Sequence, residues 1–288
     1  MPELNYPQHG VALIQVLLIS TILSLMALHF TLSGRQQVQI ASQMQDKVAA
    51  EAALRTLESE VLFALLTVPY GDIERDIQQQ NPLSRNWNFY NKPFSHGPGN
   101  EIKLQDINGL VSLYGQSNNT QLLQLLRHLG QDQTQARRVV ANLNHWQGFD
   151  GGVYTTNRNS NVRQNFLLNV AELKHIDGID KALFNQLSDN VTTLQTFLFN
   201  PLTAPDTILQ MILPAEVANE VLMLRSANTL DRYRFTELTG IQENDTLSFT
   251  PGRRIAIELT VRRGSSVAKR RTICYIRPEN PFPLLWLQ

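Results

Sequence analysis

At 288 residues the chain is long enough for one large or two small domains beyond an anchoring segment. Its 25 Lys and Arg balance 25 Asp and Glu, so no net charge draws it toward nucleic acid or an acidic lipid surface. The one cysteine, Cys274, excludes an intrachain disulfide, and its apolar setting TICYI reads as a buried strand.

The first ten residues, MPELNYPQHG, carry Glu3 and no Lys or Arg. Behind Gly10 lie twenty-two residues without a formal charge, from Val11 to Leu32. At about 1.5 Å of rise per residue, such a helix crosses a hydrocarbon core of about 30 Å. A cleaved secretory signal has a basic start, a shorter apolar stretch and a small-x-small exit. None of these is present, so the segment is read as a retained span, with everything after Arg35 outside the bilayer.

Gln15, Ser20, Thr21, Ser24 and His29 make this run more polar than a lone lipid-facing anchor requires. Polar groups in hydrocarbon seek partners, which favours packing against other helices. Ser and Thr can instead bond back to their own helix. The Gln15 amide has more groups than one backbone carbonyl satisfies. Past Arg35 the apolar residues Leu54, Leu57, Val61 and Leu65 recur at steps of three and four, with Glu51, Arg55, Glu58 and Glu60 on other faces. No proline interrupts until Pro69, so one helix is predicted from about Val11 to about Leu66.

From Pro69 to Asn100 the chain is turn-rich. EIKLQDINGLVSLYG then reads as two strands joined at Asn108-Gly109, a strong hairpin signal. Between about Gln116 and Gly240 short helices are expected, the first capped by Asn119 or Thr120 and stopped by Gly130, with later breaks at Pro205 and Pro214. The tail returns to strands: Ile255, Ile257, Leu259 and Val261 alternate on one face, RRGSSVAKR turns, and RTICYIRP pairs back.

A hydrophilic leader ending in Gly10, then VALIQVLLIS and one long amphipathic helix, resembles the type IV pilin and pseudopilin family. The resemblance implies cleavage between Gly10 and Val11 by a membrane-embedded prepilin peptidase, which also methylates the new terminus. Most members have Glu at the fifth mature position, where this chain has Gln15. In the family that carboxylate is thought to neutralise the terminal amine of a neighbouring subunit. The K-type minor pseudopilin of type II secretion lacks it and is thought to sit at the filament tip. That subfamily is similar to this chain over nearly its full length, through DINGLVSL, LNHW, NVAELKHIDGI, NPLTAPDTIL, LPAEVANEVLMLR and the closing strands.

The expected fold is α+β: a pilin-like helix on a small antiparallel sheet, with a large inserted all-helical domain resembling SAM or helix-hairpin-helix modules. The expected divisions are leader 1–10, helix 11–66, linker and first sheet piece 67–115, helical domain 116–240 and closing strands 241–288. The chain is expected to be a non-enzymatic inner-membrane protein with one span and a periplasmic domain. The resemblance implies the I- and J-type minor pseudopilins, the major pseudopilin, the peptidase and secreted cargo as partners. A minor pilin of a type IV pilus or competence system, binding DNA, and a membrane-anchored periplasmic enzyme are the competing readings.

HIDGIDKALFNQL resembles a helix-hairpin-helix whose loop presents backbone N–H groups to a DNA phosphate. Asp177 and Asp180 beside Gly178 would repel that phosphate, so the turn is read as packing and no nucleic acid is expected. Arg253, Arg254, Arg262, Arg263, Lys269, Arg270 and Arg271 are read as solvent-facing and edge charges, a phosphate or lipid-headgroup patch being the alternative. The family resemblance implies calcium in an acid-rich loop. Here the loop QGFDGGVYTTNRN has only Asp150, and the acids Asp72, Glu74 and Asp76 read as a solvated loop, so no cofactor or metal is expected. His9, His29, His96, His128, His145 and His175 have no metal spacing, and no nucleophile motif or phosphate loop occurs, so no catalytic residue is assigned.

Overall fold

A single helix, α1 (His9–Thr67), takes 59 residues, two longer at its start and one at its end than the periodicity predicts. It stops where Pro69, lacking an N–H, cannot continue the ladder, after Val68 N–H has bonded the Ala64 carbonyl at 2.8 Å. The structure is a computed structural model that describes residues 9–69, 81–150, 153–154 and 164–287. Its elements after α1 are β1 (Phe94–Ser95), β2 (Asn100–Asp106), β3 (Val111–Ser112), α2 (Asn119–His128), α3 (Gln133–Trp146), β4 (Phe149–Asp150), β5 (Val153–Tyr154), α4 (Lys181–Leu187), β6 (Val191–Thr192), α5 (Asp206–Ile212), α6 (Ala215–Ser226), α7 (Arg232–Thr239), β7 (Arg254–Arg263), β8 (Ser266–Ile276) and β9 (Leu284–Trp286). The chain divides into two compact units, residues 1–53 with 261–268, and residues 54–260 with 269–288.

In the first unit, the Asp46 carboxylate of α1 accepts from the Ser265 N–H at 2.8 Å and from its hydroxyl at 3.0 Å. Gly264 beside it has φ +51, and a Cβ there would run into Asp46. The β7–β8 turn is thus only Gly264–Ser265, and the strands run well into the segment expected to be a wide turn.

In the second unit, Leu54, Leu57, Val61 and Leu65 are all buried, as their spacing predicts. The sheet among the described residues has the order β1-β2-β7-β8-β9. Ile255, Ile257 and Leu259 of β7, Ile102 and Leu104 of β2, and Cys274 and Ile276 of β8 are buried as well. Glu58 on α1 pairs with Arg270 of β8 at 2.5 Å, and Glu60 lies 3.6 Å from His96, next to β1. These polar ties flank an apolar helix face on the sheet.

The predicted hairpin at Asn108-Gly109 is absent. β3 pairs in parallel with β6, Val111 opposite Val191 and Ser112 opposite Thr192. A two-residue hairpin of the favoured kind needs positive φ at both turn residues. Neither Asn108 nor Gly109 has it. Instead Asp106 accepts from the Asn108 N–H at 3.0 Å, closing a 3-10 turn, Ile107–Gly109. Gly109 is needed for another reason: a Cβ there would collide with the Thr203 carbonyl.

The helices between β3 and β7 share one apolar cluster, built on Leu125, Leu126, Val139, Leu143, Leu183, Leu187, Ile208, Val221 and Phe235. Their starts are set by short polar side chains. Asp132 accepts from Thr134 and Gln135 N–H, Asp180 from Leu183 N–H, and Asp231 from Arg234 N–H. α2 begins at Asn119 with Asn118 as its cap residue and no side-chain cap bond, so neither expected cap serves. Pro205 and Pro214 sit at the N-caps of α5 and α6, where a missing N–H costs nothing. The short strands β4, β5 and β6 were not expected in this stretch.

Candidate assembly surface and a buried polar frame

The uncharged half of α1 exposes its apolar side chains. Leu13 is 66% exposed and Phe30 73%, and an 18-residue window with mean hydropathy 2.1 has no buried residue. Burying one such side chain is worth about 1.5–3 kcal/mol, so in water this surface would be strongly disfavoured. The helix is long and apolar enough to cross a membrane. Ser20 and Thr21 both donate to the Leu17 carbonyl, at 3.0 and 2.7 Å, and Thr31 to the Ala27 carbonyl at 2.8 Å. These hydroxyls are satisfied inside the helix and call for no partner. Gln15 is exposed among the apolar side chains.

The backbone of Gly10 and Val11 falls inside α1, while residues 1–8 of the leader lie outside the described residues. Past the apolar run, Ile40, Met44 and Val48 are 57–68% exposed at successive steps of four. They form one stripe on the helix that continues the apolar surface beyond Arg35.

The second unit holds a frame of buried polar groups. Asp106, fully buried, accepts from Thr203 Oγ1 at 2.9 Å, Asn200 Nδ2 at 3.5 Å and the backbone N–H groups of Asn108 and Gly252. Burial raises its carboxyl above the ordinary carboxylate value, against the pull of those hydrogen bonds. Across the same loop, Arg225 of α6 donates to the carbonyls of Ala204 (2.8 Å), Leu202 (2.9 Å) and Pro201 (3.3 Å). Its guanidinium lies 4.2 Å from the Tyr90 ring centre and 3.2 Å from the Asp206 carboxylate, and burial lowers its pKa. The segment 200–206 is therefore clamped by an acid from β2 and a base from α6.

The other predicted residues fall where packing puts them. Gly178 has φ +93, and a Cβ there would lie 3.0 Å from Val139 of α3. Ile176 and Ile179 on either side are buried, and the Asp177 carbonyl accepts from Asn142 Nδ2 at 2.8 Å. The turn is thus tied against α3, with Asp180 used as a helix cap. In the basic stretch, Arg253 pairs with Glu279 and Arg270 with Glu58, while burial lowers the pKa of Arg254. Cys274 is buried, its thiol 3.6 Å from the Ile255 carbonyl and pushed up to about 12 by burial.

Among the described residues no three His, Cys, Asp or Glu side chains converge as metal ligands. Asp72, Glu74 and Asp76 lie outside the described residues, as does the Asp150 side chain. Sequence reasoning missed the roles of Asp106, Asn200, Thr203 and Arg225. DINGL, NPLTAP and VLMLR stood out as landmarks, and their meeting around one loop was not legible from order alone.

No protein-family model matches the sequence, and no curated protein matches it. Among solved structures the chain is similar to one from the GspK-GspI-GspJ complex of the enterotoxigenic Escherichia coli Type 2 Secretion System. The likeness has a TM-score of 0.53 at 13% identity and covers 88% of this chain and 98% of that one. With the long helix, small sheet and helical insertion already described, it establishes an α+β pilin-like fold.

Proposed function

We propose that this chain is a K-type minor pseudopilin of a type II secretion system. The observation that carries the reading is the pilin-like fold shared along 88% of the chain, built on a helix whose first half is uncharged and exposed. In this reading prepilin peptidase cuts between Gly10 and Val11 and methylates the new amine. The span from Val11 to Leu32 then holds the protein in the inner membrane, with the remainder in the periplasm.

Assembly proceeds by side-by-side packing of α1 with the helices of I- and J-type minor pseudopilins and the major pseudopilin. Gln15 has no charge to neutralise a neighbour's terminal amine, and the helical module is bulky for a shaft in which subunits rise in small steps. Both support a place at the tip, where the protein initiates and caps the pseudopilus and meets secreted cargo. The role is structural, without a catalytic residue, cofactor or nucleic-acid ligand. Asp177 and Asp180 beside the helix-hairpin-helix-like turn disfavour the DNA-binding alternative.

A chromosomal deletion tests the role. Loss of the gene should abolish export of the type II substrates of its host, and the wild-type gene should restore it. Undiminished export in the deletion strain would contradict the proposal.

A further inference from the structure

The two edges of the five-stranded sheet are finished differently. β1 is two residues long and sits beside Lys92 and His96, features that discourage pairing, while prolines border both edges, Pro93 and Pro98 here and Pro281 and Pro283 at β9. At the other edge, β9 follows the register Cys274 opposite Trp286, Tyr275 opposite Leu285 and Ile276 opposite Leu284. Leu287 N–H bonds the Ile273 carbonyl at 2.8 Å and Arg277 N–H the Pro283 carbonyl at 2.7 Å. In an antiparallel ladder the bonded pairs alternate, so Pro283, Leu285 and Leu287 face β8. The N–H and C=O groups of Leu284 and Trp286 therefore point outward, and no strand among the described residues pairs with them.

This open edge has no charge of its own and is lined by apolar side chains. Phe282 is 73% exposed and Trp286 52%, whereas Cys274, directly opposite Trp286, is fully buried. The buried layer of the sheet ends abruptly at the indole. A lipid surface would cover the rings and leave four backbone polar groups unsatisfied. An extended backbone satisfies both needs at once.

We infer that β9 is a docking edge for an extended strand of another pseudopilin, which lengthens the sheet beyond β9 and covers Trp286. This rests on the pseudopilin reading above. The partner supplies main-chain donors and acceptors to Leu284 and Trp286 and alternate apolar side chains over Phe282 and Trp286.

The test uses the full chain, co-expressed with prepilin peptidase and the other pseudopilins of its own secretion cluster. A photoreactive benzoylphenylalanine replaces Phe282, and adducts are mapped by mass spectrometry. The inference expects an adduct within a strand of another pseudopilin. Trp286→Pro removes an outward N–H together with the indole but no hydrogen bond to β8, and it should weaken co-purification of that partner at least tenfold while the chain melts like wild type. Trp286→Ala, which keeps the N–H, should weaken it less. Adducts only to lipid, only to a second copy, or none, on a chain whose leader has been removed, overturn the docking edge and leave the pseudopilin reading intact. A chain that keeps residues 1–10 overturns both.

Discussion

The first half of α1 and the loop clamped by Asp106 and Arg225 invert the usual rule in opposite ways. One exposes Leu13, Phe30 and their neighbours, and the other buries a carboxylate and a guanidinium. The buried charges are answered inside the chain, each by several hydrogen bonds. The exposed apolar surface has no answer among the described residues, and in the proposed reading its energetics belong to the membrane and to other subunits. Substitutions in the clamp should therefore act on folding, and substitutions on the helix surface on assembly.

The largest effect is expected from Arg225→Leu, which takes the guanidinium donor from the carbonyls of Leu202 and Ala204 and leaves that of Pro201 only the Ala204 N–H at 3.4 Å. Asp206 is 65% exposed, so the ion pair itself adds little and the loss comes from the buried carbonyls. A cost of about 3 kcal/mol is expected from denaturant melts of the detergent-solubilised chain. An unchanged midpoint would erase the contrast between the two regions.

Asp106→Ala takes the acceptor from the Asn200 amide and the Asn108 and Gly252 N–H groups, while the Thr203 hydroxyl keeps the Asn200 carbonyl at 3.3 Å, and should cost about 2–3 kcal/mol in the same melts. Because burial raises the folded-state pKa, folding favours the protonated acid. Its contribution is fullest below the ordinary carboxylate value and is lost as pH rises through the raised one. Wild type should therefore lose stability relative to the non-titrating Asp106→Asn as pH rises from that ordinary value. The opposite slope would mean that the hydrogen bonds outweigh the burial.

A smaller signal comes from Cys274, whose thiol, pushed up to about 12, holds almost no thiolate at pH 8. Iodoacetamide should label it only after denaturation, and labelling of the folded chain would place it outside the core. At the bottom of the scale, Met44→Ser on the exposed stripe should shift the melt by less than about 0.5 kcal/mol. It should nevertheless reduce recovery of the chain in a pseudopilus complex. A large loss of stability would show that the stripe is packed within the chain.

The same contrast governs what the sequence made legible. Periodicity found α1 and its buried face at Leu54, Leu57, Val61 and Leu65, because burial there follows a local 3.6-residue repeat. Alternation found β7 in the same way, and the apolar setting TICYI pointed to the buried Cys274. It failed at Asn108-Gly109, where a local turn signal was overridden by distant partners: Asp106 draws in Thr203 and Asn200, and Gly109 makes room for the Thr203 backbone. The clamp was illegible for the same reason, since Asp106 and Arg225 meet through a loop far from both in the chain. Gly10, Val11 and Gln15 stood out by their place in a leader pattern, whose meaning lies in other proteins rather than in the packing of this one.

The most direct test of the pseudopilin reading is the intact mass of the full chain co-expressed with a prepilin peptidase. The account predicts loss of residues 1–10 and a methylated amino terminus at Val11. A chain that keeps Met1 to Gly10 in the presence of the active peptidase would contradict it.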